Sequence, residues 1–422
     1  MGFALDSYDD GFEVNDDFKY ATKIMVFGVG GGGGNAVSHM VNSGVCDVDY
    51  VVANTDVAAL RSKDGSQMKR IQIGRKTSGG QGAGNDPEKG RKSAEENRDD
   101  IAKALDGISM LFVAAGMGGG TGTGAAPVVS AIAKEKGILT VGVVTKPFDW
   151  EGPQKMREAV KGIAEMKQNV DALIIIPNDR VRMLKGVSGN KGGHVSVRES
   201  FEKVDEILCK AVTGIITLLH SSGYINVDFA DVRMALSDSG IAHMAIGAGK
   251  GDNKFDDALD EIFNSPLLET SIAGARRGLL NIRIPASDSV GFEELDTLTK
   301  KIAEKFNPDA KYKFGVEFDD TLAEDEISIV AIATDFAEDN VKPAAQPKKV
   351  VPQAVQQNAA PAGTQQAPEK QADEAAPEAA ETAAPEAQPQ PAPAPTGIGG
   401  NFGYSESQDI ELLLRKFQNK DN

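Results

Sequence analysis

The chain has only two cysteines, Cys46 and Cys209, in 422 residues. So few cannot build a disulfide framework, and the count fits a reducing compartment. Basic residues are also short: 45 Lys and Arg face 62 Asp and Glu, a formal net charge of -17. With no surplus cation to neutralise a phosphate backbone, nucleic acid is disfavoured as a partner and a small anionic ligand is favoured. Long apolar runs are missing. The longest, Ile138 to Thr145 and Ala172 to Pro177, fall well below the roughly 20 residues of a membrane-spanning helix. Met1 to Asp10 has neither the basic end nor the apolar core of an export signal. A cytoplasmic chain is expected, with no direct membrane insertion. The four histidines, His39, His194, His220 and His243, have no metal-ligand spacing, and no Ser/His/Asp grouping stands out, so no protein metal centre or triad is expected.

At about 150 residues per domain the length allows up to about three units. Residues 1–20 carry six acidic side chains between Asp6 and Asp17 and little apolar periodicity, the pattern of a disordered acidic arm. From Lys23, β-branched runs (Ile24 to Val29, Tyr50 to Asn54, Arg70 to Ile73, Met110 to Ala115, Ile138 to Val144, Leu173 to Ile176) alternate with helical patterns. This predicts an α/β, Rossmann-like domain over 21–196 with a mostly parallel sheet. Pro87 to Leu105 and Ala125 to Lys136 read as crossover helices. Phe201 to Leu219 keeps three- and four-residue apolar spacing, so 197–224 should be a long central helix.

A smaller α+β unit is expected over 225–335, with helices Phe255 to Phe263 and Phe292 to Phe306 and strands Leu279 to Ile284, Tyr312 to Phe318 and Ile327 to Ala333, the long helix acting as joint. Residues 336–404 turn to Ala, Pro, Gln and Glu, a composition that cannot bury enough apolar surface to order itself, hence a disordered linker. In 405–422 an apolar stripe returns from Asp409 to Phe417, which suits a short amphipathic docking helix.

Two glycine segments carry the chemistry. Gly28-Val29-Gly30-Gly31-Gly32-Gly33-Gly34-Asn35 leaves a strand and precedes a helical pattern. Glycines let a polyphosphate approach backbone amides, and a helix N-terminus adds partial positive charge. The segment also satisfies G-x-G-x-x-G, with Asp56 about twenty residues on as a candidate ribose ligand; taken alone the motif is weak, and a tight turn between strand and helix is its plainer alternative. The second segment, Gly116 to Gly124, repeats the context with Gly118, Gly119, Gly120, Gly122 and Gly124, and adds the hydroxyls of Thr121 and Thr123. A dinucleotide dehydrogenase needs one such segment, and no G-x-x-x-x-G-K-[ST] occurs. Neither segment contains lysine, which leaves backbone dipoles and a metal ion to balance phosphate charge.

Gly118-Gly119-Gly120-Thr121-Gly122-Thr123-Gly124 is similar to the tubulin signature. With Asn54-Thr55-Asp56, Gly82-Ala83-Gly84-Asn85-Asp86-Pro87-Glu88 and Asn226-Val227-Asp228-Phe229-Ala230-Asp231, it resembles the FtsZ family of bacterial tubulin homologues from about Lys23 to Ala333. The resemblance implies a self-assembling GTPase of the division ring at mid-cell, its subunits stacked head to tail. GTP or GDP would lie between the two glycine segments, with Mg²⁺ and with K⁺ as a further candidate cation. Asn54, Asp56, Gly82, Ala83, Gly84 and Asn85 would line the phosphate end. Glu151 would hold the ribose, and Asp205 or Glu206 the base. Lys155 replaces the family's usual arginine, exchanging a planar fork for a point charge.

The resemblance further implies that Asn226, Asp228 and Asp231 enter the next subunit's pocket and position the attacking water. Spacing alone gives Asp228 and Asp231 a plainer role, as helix N-cap and first-turn acid. Residues Asp409 to Phe417 would recruit membrane adaptors and division proteins, although Glu411 occupies the place where many relatives have proline.

Overall fold

The computed structural model describes residues 22–45, 47–181, 183, 196–220, 225–268, 272, 274–286 and 290–336. The expected acidic arm, the linker beyond Phe336 and the docking peptide lie outside the described residues. The elements in chain order are β1 (Ile24–Val29), α1 (Gly30–Asn42), β2 (Asp49–Asn54), α2 (Val57–Arg61), β3 (Lys69–Gln72), α3 (Arg75–Ser78), α4 (Pro87–Glu96), α5 (Arg98–Ala104), β4 (Met110–Gly116), α6 (Gly120–Glu135), β5 (Leu139–Lys146), α7 (Pro153–Asn169), β6 (Ala172–Pro177) and α8 (Asn178–Val181). There follow α9 (Val197–His220), α10 (Phe229–Leu236), β7 (Gly240–Lys250), α11 (Lys254–Phe263), β8 (Ala275–Pro285), α12 (Phe292–Lys305), β9 (Lys311–Asp319) and β10 (Glu326–Phe336).

The strands form one sheet in the order β3-β2-β1-β4-β5-β6-β7-β10-β8-β9. Pairing is parallel from β3 through β7, antiparallel on both sides of β10, and parallel again between β8 and β9. Strands buried on both faces read as continuous apolar runs, and β1 and β4 are of that kind. Alternate residues serve opposite faces: Ile24 and Val26 join the core under α1 and α9, while Met25, Phe27 and Val29 join the core under α6 and α7. The stripe of α9, from Val204 to Ile215, lies in a cluster that also takes in Leu279 of β8 and Val330 of β10. α9 itself packs against β5 in the middle of the sheet and against β8 and β9 at one end. A third cluster fills the space between α11, α12 and the last strands.

Three expectations are corrected. Pro87 to Leu105 is two helices, broken at Asn97, because the Asn97 side chain turns aside to accept from the Gly74 amide at 2.9 Å. The glycine segments are not loops ahead of helices starting near Ala36 and Ala125. Gly30 and Gly120 are the first residues of α1 and α6. The long helix is not alone in joining the smaller α+β unit to the first domain, because β7, a strand outside the expected set, joins them as well. Its first residues, Gly240 to Ala242, pair with β6, and His243 to Lys250 pair with β10, so it splices the two halves of the sheet.

Candidate nucleotide site and acidic helix

The strand order reverses between β1 and β4, and α1 and α6 leave the carboxyl ends of those two strands. In open α/β sheets a ligand crevice opens at this switch point. No side chain caps the first turn of either helix: the N-cap positions are Val29 and Gly119. Two sets of unsatisfied amides, with the positive ends of two helix dipoles, therefore face one crevice.

The glycines divide into two kinds. Some are required by the protein's own packing. A Cβ on Gly33 would lie 2.1 Å from the Ala114 carbonyl oxygen, and one on Gly122 would lie 2.4 Å from that of Gly116. Gly30 is left-handed (φ +73°) and lies against the Gly122 amide. Others are not required. Cβ atoms on Gly31 and Gly119 would meet nothing within 4 Å, and neither residue has a positive φ. Nothing in the chain itself demands glycine there, whereas a ligand seated on the amides would. Gly32 is exposed, Gly34 is covered by Lys63, and Gly118, Gly120 and Gly124 pack tightly on α7, on the 83–86 turn and on α4.

The threonines of the second segment differ. Thr121 Oγ1 lies 2.7 Å from Thr55 Oγ1, tying α6 to the end of β2. Thr123 is buried, and its hydroxyl accepts from the Gly118 amide at 2.8 Å. That places it inside the turn.

A third wall comes from 54–86. Asn54 accepts from the Asp56 amide at 3.1 Å, and Asp56 caps α2 through the Ala58 and Ala59 amides at 2.8 and 3.2 Å, a device worth about 1 kcal/mol. The Gly82 amide donates to the Thr55 carbonyl at 3.3 Å. Gly82, Gly84 and Asn85 are all left-handed, which turns the chain so that Ala83 is buried against Gly120 and Asp86 can cap α4. Glu96 anchors the wall from behind, accepting from the Lys76 and Thr77 amides at 2.9 and 3.0 Å and from the Thr77 hydroxyl at 2.8 Å. These bonds, led by that from Lys76, hold its carboxyl below the usual range.

At the far end of the crevice Glu151 is engaged with its own turn. One oxygen accepts from the Phe148 amide at 2.9 Å and the other from Lys155 Nζ at 3.0 Å. Trp150, 61% exposed, stacks on Phe148, and both rings meet Phe201 edge-on. The neighbouring acids Asp205 and Glu206 part company. Burial pushes Glu206 up, but Lys203 at 2.5 Å and Lys210 at 2.9 Å outweigh it and leave its carboxyl lowered. Asp205 makes no hydrogen bond among the described residues. Burial raises its carboxyl to about 6, with nearby Lys63 opposing and Glu202 adding to the rise. Asp205 thus has no hydrogen bond among the described residues, whereas Glu206 is engaged by two lysines.

Three further residues are candidates at the site that no motif marks in the sequence. Asn178 directly follows β6, is 4% exposed, and has an Oδ1 with no partner among the described residues. Phe201 belongs to the apolar spacing of α9, yet is 39% exposed, one turn before Asp205. Lys63 donates to Asn35 at 2.7 Å, bringing positive charge to α1 from a distant segment. A buried polar atom at a strand end and an exposed ring on an apolar face are visible only after folding. No group of three His, Cys, Asp or Glu able to hold a metal occurs among the described residues. A cation here would be held chiefly by phosphate oxygens and water, as suits Mg²⁺.

Asp228 and Asp231 lie elsewhere. Asp228 is the N-cap of α10, accepting from the Asp231 amide at 2.8 Å, and Asp231 pairs with Lys313 at 3.0 Å. Asn226 is exposed just ahead of them. α10 packs on β8 and β9, five or more strands along the sheet from β4. At about 4.8 Å per strand that is on the order of 20 Å. The structure therefore gathers the glycine segments, the 54–85 wall, Glu151, Lys155 and Asp205 around one crevice, and leaves the acidic helix outside it.

A switch-point crevice roofed by two glycine helix ends, joined to a second group of antiparallel and parallel strands, defines a tubulin-like nucleotide-binding fold. Comparison with known proteins agrees. Residues 23–185 match the Tubulin/FtsZ family GTPase domain, and residues 240–337 match the FtsZ family C-terminal domain. Among solved structures the chain is similar to an empty FtsZ dimer from M. jannaschii (32% identity, 79% of this chain and 95% of that one, TM-score 0.69). It is also similar to a tryptophan-to-tyrosine mutant of FtsZ from the same organism (34% identity, 75% and 91%, TM-score 0.69). At 21% identity, a GTPγS-bound protofilament of CetZ2 from Haloferax volcanii shares the fold (75% and 94%, TM-score 0.61). The chain belongs to the FtsZ family and carries its GTPase domain.

Proposed function

We propose that this protein is a GTPase that assembles head to tail and completes its catalytic site only between subunits. The observation that carries the reading is a division of labour. Two uncapped helix ends with open space over Gly31 and Gly119 suit a polyphosphate, while the acids of α10 stand on the order of 20 Å away along the sheet. A carboxylate so placed cannot reach its own crevice, so the crevice it serves belongs to a neighbour. Repeated head-to-tail contacts of this kind do not close, and they propagate as a filament. The solved relatives include a dimer and a protofilament, which supports self-association.

Within the crevice the triphosphate rests on Gly30 to Gly34, Gly118 to Gly124 and Gly82 to Asn85. Glu151 takes the ribose once released from Lys155. Asp205 accepts from the N–H groups of guanine, Asn178 offers its unmet acceptor, and Phe201 a flat face for stacking. Mg²⁺ accompanies the phosphates and supplies charge neutralisation when bound; K⁺ remains a candidate second cation. Asp228 and Asp231 orient water in the neighbouring crevice, with placement rather than basicity supplying most of the effect. Loss of the terminal phosphate then weakens the contact. Filaments tethered through Asp409 to Phe417 to membrane adaptors and division proteins would form the cytoplasmic division ring at mid-cell.

A second reading has its own support, because both acids already have structural duties, Asp228 as cap and Asp231 as partner of Lys313. On that reading the protein is a nucleotide-binding scaffold with negligible hydrolysis. Substituting Asp231→Ala decides. Filaments without phosphate release support the GTPase; wild-type release returns the acids to structural roles.

A further inference from the structure

α10 is held at both ends by basic residues from one face of the sheet. Arg277 of β8 donates to the Met234 and Ser237 carbonyls at its C-terminal end at 3.1 and 2.9 Å, and pairs with Asp335. At the N-terminal end, Lys313 Nζ of β9 lies 3.0 Å from Asp231 Oδ1. In the parallel β8–β9 ladder Arg277 is paired with Lys311, and Leu279 with Lys313, so Arg277, Lys311 and Lys313 share a face. β9 is the terminal strand, which leaves Lys313 half exposed, whereas the Asp231 carboxylate it touches is 25% exposed. Arg277 fastens helix backbone. Lys313 spends its charge on a single side chain, and that side chain is the one assigned to the neighbour's crevice.

We propose that Lys313 is a positioning residue for hydrolysis, fixing the Asp231 carboxylate on α10 and carrying a compensating positive charge with it toward the neighbouring subunit's triphosphate. The inference rests on the interface reading above. An acidic helix approaching a triphosphate meets like-charge repulsion, which grows as water is excluded from the contact. A lysine travelling beside the acid lowers that repulsion and limits the rotamers of Asp231 to those compatible with the pair. Lys311, on the same strand and face, makes no ion pair with α10 and serves as the control.

The test compares wild type with Lys313→Met, Lys313→Arg, Lys311→Met and Asp231→Ala, following GTP binding to dilute protein, pelleting of filaments and phosphate release per pelleted subunit, each across a Mg²⁺ titration. Lys313→Met should bind GTP within about twofold of wild type, yet assemble only at higher protein concentration and release phosphate about fivefold more slowly at low Mg²⁺. The gap should narrow as Mg²⁺ rises. Lys313→Arg should restore most of the loss, and Lys311→Met should behave as wild type. Unchanged assembly and Mg²⁺ dependence in Lys313→Met, beside an inactive Asp231→Ala, would overturn the role of Lys313 alone. Full activity in Asp231→Ala would overturn the interface reading itself. Equal losses in Lys311→Met and Lys313→Met would reduce the effect to general surface charge and also overturn the proposal.

Discussion

The glycine crevice and the acidic helix are built in opposite ways. In the crevice the chemistry is backbone: amides at two helix ends, side chains removed, neighbouring turns locked by contacts as close as Gly33 to the Ala114 carbonyl. On α10 the chemistry is side chain: two carboxylates, each already bonded to something else. A backbone site is fixed by folding and ready in the isolated subunit. The acids of α10 hold structural contacts in the isolated subunit, and the proposed assembly-dependent hydrolysis would bring them into use at a neighbour's crevice.

The comparison is broken most forcefully at the glycines themselves. Gly33→Val and Gly122→Val would drive side chains into backbone atoms, so each should lose about 3 kcal/mol or more of stability, read by denaturant unfolding of the nucleotide-free protein. Gly31→Ala should do the reverse. It fills open space on a helix and should stabilise the free protein by up to about 1 kcal/mol, while GTP affinity measured by calorimetry falls about tenfold or more. Equal affinity in Gly31→Ala would mean that the open space is not where the ligand sits.

Next in size is the acidity of the base end. Asp205 is held at about 6 by burial, above its ordinary 3.8, so the folded protein binds more protons than the unfolded chain between about pH 4 and 6. The associated stability is therefore lost as pH rises through that window. On the proposed assignment of Asp205 to guanine the ionised acid is the acceptor and recognition runs the other way, so GTP affinity should drop as pH falls through about 6. Asp205→Asn should raise the melting temperature at pH 7, weaken GTP binding and flatten its pH profile over this range. A steep profile persisting in the variant would assign the titration to another group.

The smallest effect belongs to the anchor behind the third wall. Glu96→Ala removes the acceptor for two amides of α3. It should loosen the 74–86 turn, visible as faster amide exchange there, and lower GTP affinity about threefold, the scale of a lost cap.

Much of this was legible beforehand, and the gaps have causes. Strands such as Ile24 to Val29 and Met110 to Ala115 declare themselves because parallel strands buried on both faces are unbroken apolar runs. β7 does not, because Gly247 and Gly249 interrupt it. Their missing side chains admit α11, whose Ala258 and Lys254 carbonyls would lie 2.1 and 1.7 Å from added Cβ atoms. The break at Asn97 was hidden because its partner, the Gly74 amide, is distant in sequence. At the site, motif residues were readable as motifs, yet sequence could not divide glycines that serve packing from those that leave room for a ligand. Between Asp205 and Glu206, the lysines that engage Glu206 stand at helical spacing visible in the sequence, three residues before it and four after it, whereas the burial that sets Asp205 apart exists only in the fold.

The central claim is that one subunit's crevice is finished by another's acids. Phosphate release per molecule, measured with light scattering from dilute, demonstrably monomeric protein up through the onset of filaments, tests it most directly. The account predicts almost no release below the onset and a steep rise with assembly. Full-rate release from the monomer would contradict it.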